Sequence, residues 1–159
     1  MKGQQKKYEL TGEFIEHWSG KKLYRIRALV SFGVVVAGQL GGFVESEKNL
    51  DQSLSGNAWV YGNARVYGNA EVYGDARIRS YAVISERKMI FGATNVGSEN
   101  GTLTVFNGKD GLIVTRGCFT GTVDEFLSKS AEVHDDKTKN EYKLLIEVAK
   151  SRILGVKDE

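Results

Sequence analysis

The chain contains no proline and one cysteine. Without proline, turns fall to glycine, asparagine and aspartate, and 19 glycines are available for them. The lone Cys118 excludes an intrachain disulfide and fits a reducing cytosol. Arg116 beside it would favour the thiolate, but an inert thiol is the plainer reading. No apolar run approaches the ~18 residues of a membrane span. The longest, Val34–Ala37 with its neighbours, is broken by glycine, and the basic start has no apolar segment behind it, so no secretory signal is read. A cytoplasmic protein is expected. The formal net charge is only +2, which argues against a dedicated duplex-DNA binder. Basic residues do gather near the start (Lys2, Lys6, Lys7, Lys21, Lys22, Arg25, Arg27), where a solvated face explains them. Hydrophobic residues make up 41% and charged residues 26%, too apolar a balance for a disordered chain and ordinary for a folded one.

What the sequence does have is a repeat. Residues 55–84 read SGNAWV YGNARV YGNAEV YGDARI RSYAVI, with a period of six. A large aliphatic residue recurs at Val60, Val66, Val72, Ile78 and Ile84. Alanine stands two places before each, at Ala58, Ala64, Ala70, Ala76 and Ala82. Gly56, Gly62, Gly68 and Gly74 stand four before, with Ser80 in the last slot; Asn57, Asn63, Asn69 and Asp75 follow the glycines. Leu54 precedes the run in phase, and Ile90 and Val96 follow it. A period of six keeps no stripe on a 3.6-residue helix, and Gly-Asn or Gly-Asp in four of the five units would break one. Short strands joined by sharp corners fit instead, with Gly-Asn supplying left-handed backbone. The aliphatic residue and the alanine point into a narrow prism.

The flanks read differently. Tyr8–His17 and Lys22–Val30 are candidate strands around Trp18-Ser19-Gly20, Val34–Ala37 is a third, and Gly38–Leu50 is a turn into the first repeat. Behind the repeat, Gly101–Phe106 and Leu112–Arg116 form a hairpin around Asn107–Gly111. Thr122 with Glu125 is a capping box that opens a helix over 123–133. Thr138 with Glu141 is a second box, opening a helix to Leu154 with Gly155 as its stop; its apolar face is Tyr142, Leu145, Ile146, Ala149 and Ile153. The chain thus divides into an N-terminal β cap (1–53), the repeat (54–98) and a C-terminal hairpin with two helices (99–159).

These hexapeptides resemble the hexapeptide-repeat family of left-handed parallel β-helices. The resemblance implies a mainly-β fold in which residues eighteen apart stack, and a homotrimer that covers the open prism. With the flanking runs Leu40–Leu50, Val96–Gly101 and Arg116–Gly121, the chain resembles small hexapeptide-repeat, polymer-forming-like proteins of tailed phages and prophages. That implies a viral or prophage source, in the cytoplasm of an infected or lysogenic bacterium.

Known members of the repeat family include acyltransferases, which use a histidine as general base beside a groove between protomers. Here the only histidines, His17 and His134, lie outside the repeat. His134 sits where a helix dipole favours it. The zinc carbonic anhydrases of the family need three histidines, which two residues in the flanks match poorly. Asn107–Gly111 lacks the lysine-serine/threonine pair of a phosphate-binding loop. No catalytic residues, metal ligands or cofactor are assigned; acyl transfer is the reaction to test if there is one.

Stacking at eighteen residues puts Trp59 and Tyr61 beside Arg77 and Arg79, all expected to point outward. Aromatic rings beside guanidinium groups suit cation–π contact, and also a nucleotide-type ligand, with rings to stack a base and arginines to pair phosphates. Arg25, Arg27 and Arg116 are further candidates from the flanks. A second outward face carries Arg65 and Tyr67 above Val83 and Ser85. A third carries Glu71 and Tyr73 above Met89 and Phe91 and should be covered by another protomer or by the C-terminal helices. The expectation is a non-catalytic oligomer that binds and sequesters a small anionic ligand, with a nucleotide signal of host immunity as the most concrete candidate. The alternative is a structural module engaging a host or virion protein, since interfaces are also rich in Trp, Tyr and Arg.

Overall fold

The computed structural model describes residues 6–17, 19–117 and 119–154, and for Arg87 the backbone alone. Trp18, Cys118 and Gly155, which carry a turn, a thiol and a helix stop in the sequence reading, lie outside the described residues. The chain opens with β1 (Tyr8–Glu16) and β2 (Lys22–Ala28), paired antiparallel. Strand β3 (Leu40–Val44) adds antiparallel to β2. The hexapeptide segment supplies four two-residue strands, β4 (Trp59–Val60), β5 (Arg65–Val66), β6 (Arg77–Ile78) and β7 (Val83–Ile84). Four longer strands follow, β8 (Ile90–Val96), β9 (Gly101–Gly108), β10 (Gly111–Arg116) and β11 (Phe119–Thr122), then helices α1 (Val123–Val133) and α2 (Asp136–Leu154).

The architecture is mixed α/β, and the left-handed parallel β-helix is corrected. A five-stranded mixed sheet runs β1-β2-β3-β5-β7, a four-stranded antiparallel sheet runs β11-β10-β9-β8, and β4 pairs β6 alone. Parallel pairing does join residues eighteen apart, Trp59 to Arg77 and Arg65 to Val83. It ends after two residues per strand, however, and the remaining face has only one bridge, Leu50 to Val72. Leu54 is half exposed while Leu50 is fully buried, so the first inward position is not the one the period marks. Ile90 and Val96 do not continue the repeat: they lie in antiparallel β8. Nor is Gly38–Leu50 a mere turn, since β3 lies within it and Val34–Ala37 makes only the bridge Phe32 to Val35. The physical reason is the unpaired backbone at the rims of so short a repeat, which the flanking strands satisfy.

The repeat's periodicity nevertheless governs burial. All five aliphatic positions and all five alanines are buried. Gly41 and Gly42 let β3 lie against them: a Cβ would come within 2.6 Å of the Val60 carbonyl at Gly41 and 2.7 Å of the Ala64 carbonyl at Gly42. Along one rim, three alanine carbonyls each receive a donor from the N-terminal segment. Lys7 Nζ donates to Ala58 at 3.0 Å, the Phe43 amide to Ala64 at 2.9 Å, and Asn49 Nδ2 to Ala70 at 2.8 Å. On the other rim, Thr115 Oγ1 donates to the Arg77 carbonyl at 3.0 Å and Asn107 Nδ2 to that of Val83 at 2.9 Å.

The four-stranded sheet separates two cores. Phe106, Ile90 and Ile113 close the core of the repeat. From the opposite face of the same strands, Leu103, Val105 and Val114 pack on α1 and α2. Helix α1 carries its capping box: Thr122 Oγ1 accepts from the Glu125 amide at 3.1 Å, and Glu125 Oε1 accepts from the Thr122 amide at 2.8 Å. Helix α2 starts two residues earlier than its sequence signal, because Asp135 Oδ1 takes the Thr138 amide at 2.9 Å. Glu141 instead accepts from the Gly97 amide at 2.8 Å, tying α2 to the loop after β8. Tyr142, Ile146, Ala149 and Ile153 of the expected apolar face are buried. Among the described residues no helix is long and apolar enough to cross a membrane.

Candidate functional site

Strand alternation fixes what the four-stranded sheet shows to the repeat. In β9, Phe106, Thr104 and Thr102 share a face, because side chains alternate along a strand. Phe106 pairs with Ile90 and Ile113, which plug the repeat core. One step on, Thr104 pairs with Gly92 and Thr115, so the face turns from apolar to small and polar. Thr104 and Thr115 are still buried; beyond them, at partly exposed Thr102, a cleft opens between the sheet and the repeat. Its wider chamber, about 580 Å³, lies between Tyr73–Ala76 and Ile90–Thr94, with Arg152 of α2 at its margin. Its narrower chamber, about 300 Å³, is lined by Arg77, Arg116, Glu99 and Gly117 among others. Asp75, Thr102 and Thr104 line both.

Two of the arginines expected to bind an anion line the narrower chamber. Arg77 leaves β6 and donates to the Gly117 carbonyl at 3.2 Å, which holds the guanidinium against the turn after β10. Arg116 ends β10; its Nε donates to the Tyr142 hydroxyl, and its Nη2 lies 3.6 Å from Glu99. Burial pushes the Tyr142 hydroxyl above the usual tyrosine range, against the opposing pull of Arg116. Asp75 Oδ1 accepts from the Asn57 amide at 3.3 Å, its counterpart eighteen residues earlier.

The other candidates go elsewhere. Trp59 is 0% exposed, turned under Phe32 and Tyr8 at ring distances of 5.4 and 6.1 Å. That corrects its reading as an outward stacking ring; its Nε1 has no hydrogen-bond partner. Tyr61 and Arg79 do form the expected cation–π pair, at 5.1 Å, but line neither chamber; Arg79 donates to Thr120 Oγ1 at 3.0 Å. Arg25 is engaged with the Gly41 carbonyl at 2.7 Å, with Glu13 at 3.1 Å and with the Phe43 ring. Arg27 pairs with Glu9. Of the histidines, His134 caps α1 with Nδ1 2.8 Å from Ser130 Oγ, and His17 Nδ1 lies 2.7 Å from Ser19 Oγ against Tyr67; neither lines the cleft.

Within the chain the C-terminal helices do not cover the third face at Tyr73. Tyr73 is 68% exposed, and the C-terminal segment stands across the cleft from it. Sequence reasoning missed Asp75, Thr102, Thr104 and Arg152 as wall residues. One signal was present: Asp75 is the carboxylate in a slot that the three preceding units fill with asparagine. The threonines had none, because alternation assigns them a face but not what that face meets. A scan against protein-family models found no match to this chain, and a search of curated proteins found none.

Proposed function

We propose that the protein is a non-catalytic binder of a small anionic ligand, held in the cleft between the repeat and the four-stranded sheet. The observation that carries this reading is the convergence of Arg77 and Arg116, from segments far apart in sequence, on one chamber. A guanidinium keeps its charge at any physiological pH and offers a planar fork of donors to a phosphate or carboxylate. Both are held from behind, Arg77 by Gly117 and Arg116 by Tyr142, which limits the entropy lost on binding. The proposal moves the stacking role away from Trp59. The resemblance to small phage and prophage proteins supports a biological setting in which a nucleotide-type signal of host defence is sequestered. A trimer remains part of the proposal.

The test is native mass spectrometry of the purified protein before and after incubation with a nucleotide-rich cell extract. The expected result is a discrete added mass of several hundred daltons that Arg77→Gln abolishes while the fold and oligomeric state persist. An adduct that Arg77→Gln leaves untouched would refute the site.

A structural or protein-binding module is the second reading, and one feature favours it. Val34 and Val36, before β3, and Leu40, its first residue, are each more than half exposed. Such a patch is unusual on a free surface. Association that persists in Arg77→Gln and vanishes in Val34→Ser/Val36→Ser would support this reading over the first.

A further inference from the structure

The wider chamber differs in chemistry from the narrower one, and the difference narrows the ligand class. Its walls combine apolar carbon and hydroxyls with the charged side chains of Glu71, Asp75 and Arg152. Ile90 and Ala76 stand near Thr94 and Thr102, and the exposed ring of Tyr73 lies at the rim. Gly92 adds no side chain, and a Cβ there would have nothing nearer than 4.0 Å, so the space above β8 is open. Asp75 stands where the two chambers meet. A carboxylate accepts hydrogen bonds and repels a second anion. The narrower chamber sets Arg77 and Arg116 against Glu99 and Asp75, whereas the wider one sets Arg152 alone against Glu71 and Asp75, so a ligand filling both carries its anion toward Arg77 and Arg116 and hydroxyl donors toward Asp75. Threonine hydroxyls both donate and accept, which suits hydroxyl groups of either polarity. The apolar stretches and the Tyr73 ring suit the C–H faces of a saturated ring.

We propose that the wider chamber is a subsite for a hydroxylated ring, so that the cleft takes a sugar phosphate, either free or as the ribose phosphate of a nucleotide. This rests on the anion subsite proposed above. Arg77 and Arg116 hold the phosphate, Asp75 accepts from ring hydroxyls, and Thr94 and Thr102 complete the hydroxyl contacts.

The experiment is a titration of the full-length, ¹⁵N-labelled protein with inorganic phosphate, ribose, ribose 5-phosphate and adenosine monophosphate, followed by amide chemical shifts. Phosphate alone is expected to move Gly101 and Gly117 in the narrower chamber. Ribose 5-phosphate is expected to move these and also Gly92 and Thr94, which line the wider chamber alone, and to bind at least about tenfold more tightly than phosphate, the equivalent of about 1.4 kcal/mol. Asp75→Asn, an isosteric change, should bring ribose 5-phosphate down to the affinity of phosphate. Thr102→Val is the second variant and should weaken ribose 5-phosphate in the same direction. Tighter binding of adenosine monophosphate than of ribose 5-phosphate supports the nucleotide form; equal binding supports the free sugar. If sugar phosphates bind no better than phosphate and leave Gly92 and Thr94 unmoved, the hydroxylated-ring subsite is overturned while the anion site stands. If phosphate itself fails to move Gly101 and Gly117, the anion site falls as well.

Discussion

Lys7 Nζ lies 3.0 Å from the carbonyl oxygen of Ala58, and the whole side chain is buried. A second acceptor, the Gly56 carbonyl, is 3.5 Å away, and the ammonium sits 4.6 Å over the Phe32 ring. Burial holds the Lys7 pKa below the usual lysine value, opposed by Asp51 and Asp75. The amine serves as a substitute strand, supplying donors where no neighbouring backbone reaches. Lys7→Met keeps the length of the side chain and removes the donors. It should destabilise the protein by about 2 kcal/mol, the typical penalty for orphaning a buried acceptor. Thermal unfolding would then fall by about 4–8 °C for a chain of this size. An unchanged midpoint in calorimetry would mean that the rim does not need the lysine.

Two glycine substitutions should behave oppositely. A Cβ at Gly42 would stand 2.7 Å from both the Ala64 carbonyl and Val60 Cγ1, in the seam between β3 and the repeat. Gly42→Ala should therefore cost about 1–3 kcal/mol by overpacking. At Gly12, in β1, a Cβ would meet nothing within 4 Å, and the backbone there is not left-handed. Gly12→Ala should be neutral or slightly stabilising, since it restricts the unfolded chain. Chemical denaturation of the pair would settle the contrast.

Ser80 offers the reverse case. It occupies the slot held by glycine in the preceding units and has φ 63°. Gly68 and Gly74 have φ 63° and 67°, so the corner imposes its conformation whichever residue stands there. For an L-residue that conformation is disfavoured by about 1–2 kcal/mol. Ser80→Gly should recover about 0.5–1 kcal/mol of this once the freer unfolded chain is counted. A fall in stability would show that the serine side chain contributes more than the strain removes.

Alkaline pH should reveal two tyrosines. The Tyr8 hydroxyl donates to the Leu50 and Glu47 carbonyls, and burial raises its pKa well beyond the usual tyrosine range. Burial raises that of Tyr142 as well. Each is an acid whose folded pKa exceeds its unfolded one. Their contribution is thus complete below the unfolded value of about 10 and is lost as pH climbs toward the folded values. Tyrosinate absorbance should show two groups that titrate only as the fold is lost, with Tyr8→Phe removing one of them. Free titration of both in the folded protein would contradict their burial.

Much of the local structure could be read from residue order alone. The spacing of Val60, Val66, Val72, Ile78 and Ile84 marked the buried positions, and Thr122 with Glu125 marked the start of α1. Periodicity failed where the chain left it. Phe43 pairs with Arg65 and Leu50 with Val72, both offsets of twenty-two residues, so four extra residues enter before the first full repeat and expel Leu54. An eighteen-residue rule could not foresee that. It also could not foresee that Trp59, placed outward by its register, would be covered by Phe32 from a loop with no strong strand signal. For the site, Arg77 and Arg116 were visible as basic residues. Their sharing of one chamber was not, because it depends on how the four-stranded sheet sits against the repeat.

Strand β9 serves two masters by alternation: Thr104 and Phe106 look toward the repeat, Leu103 and Val105 toward the helices. A slip of one residue in its pairing would exchange both sets at once. The helices would then receive hydroxyls, the cleft would be stopped with leucine and valine, and the aromatic plug would leave the repeat open. Misthreading at this strand is penalised from both sides, so β9 acts as the chain's proofreader, coupling correct assembly of the helical end to the shape of the cleft.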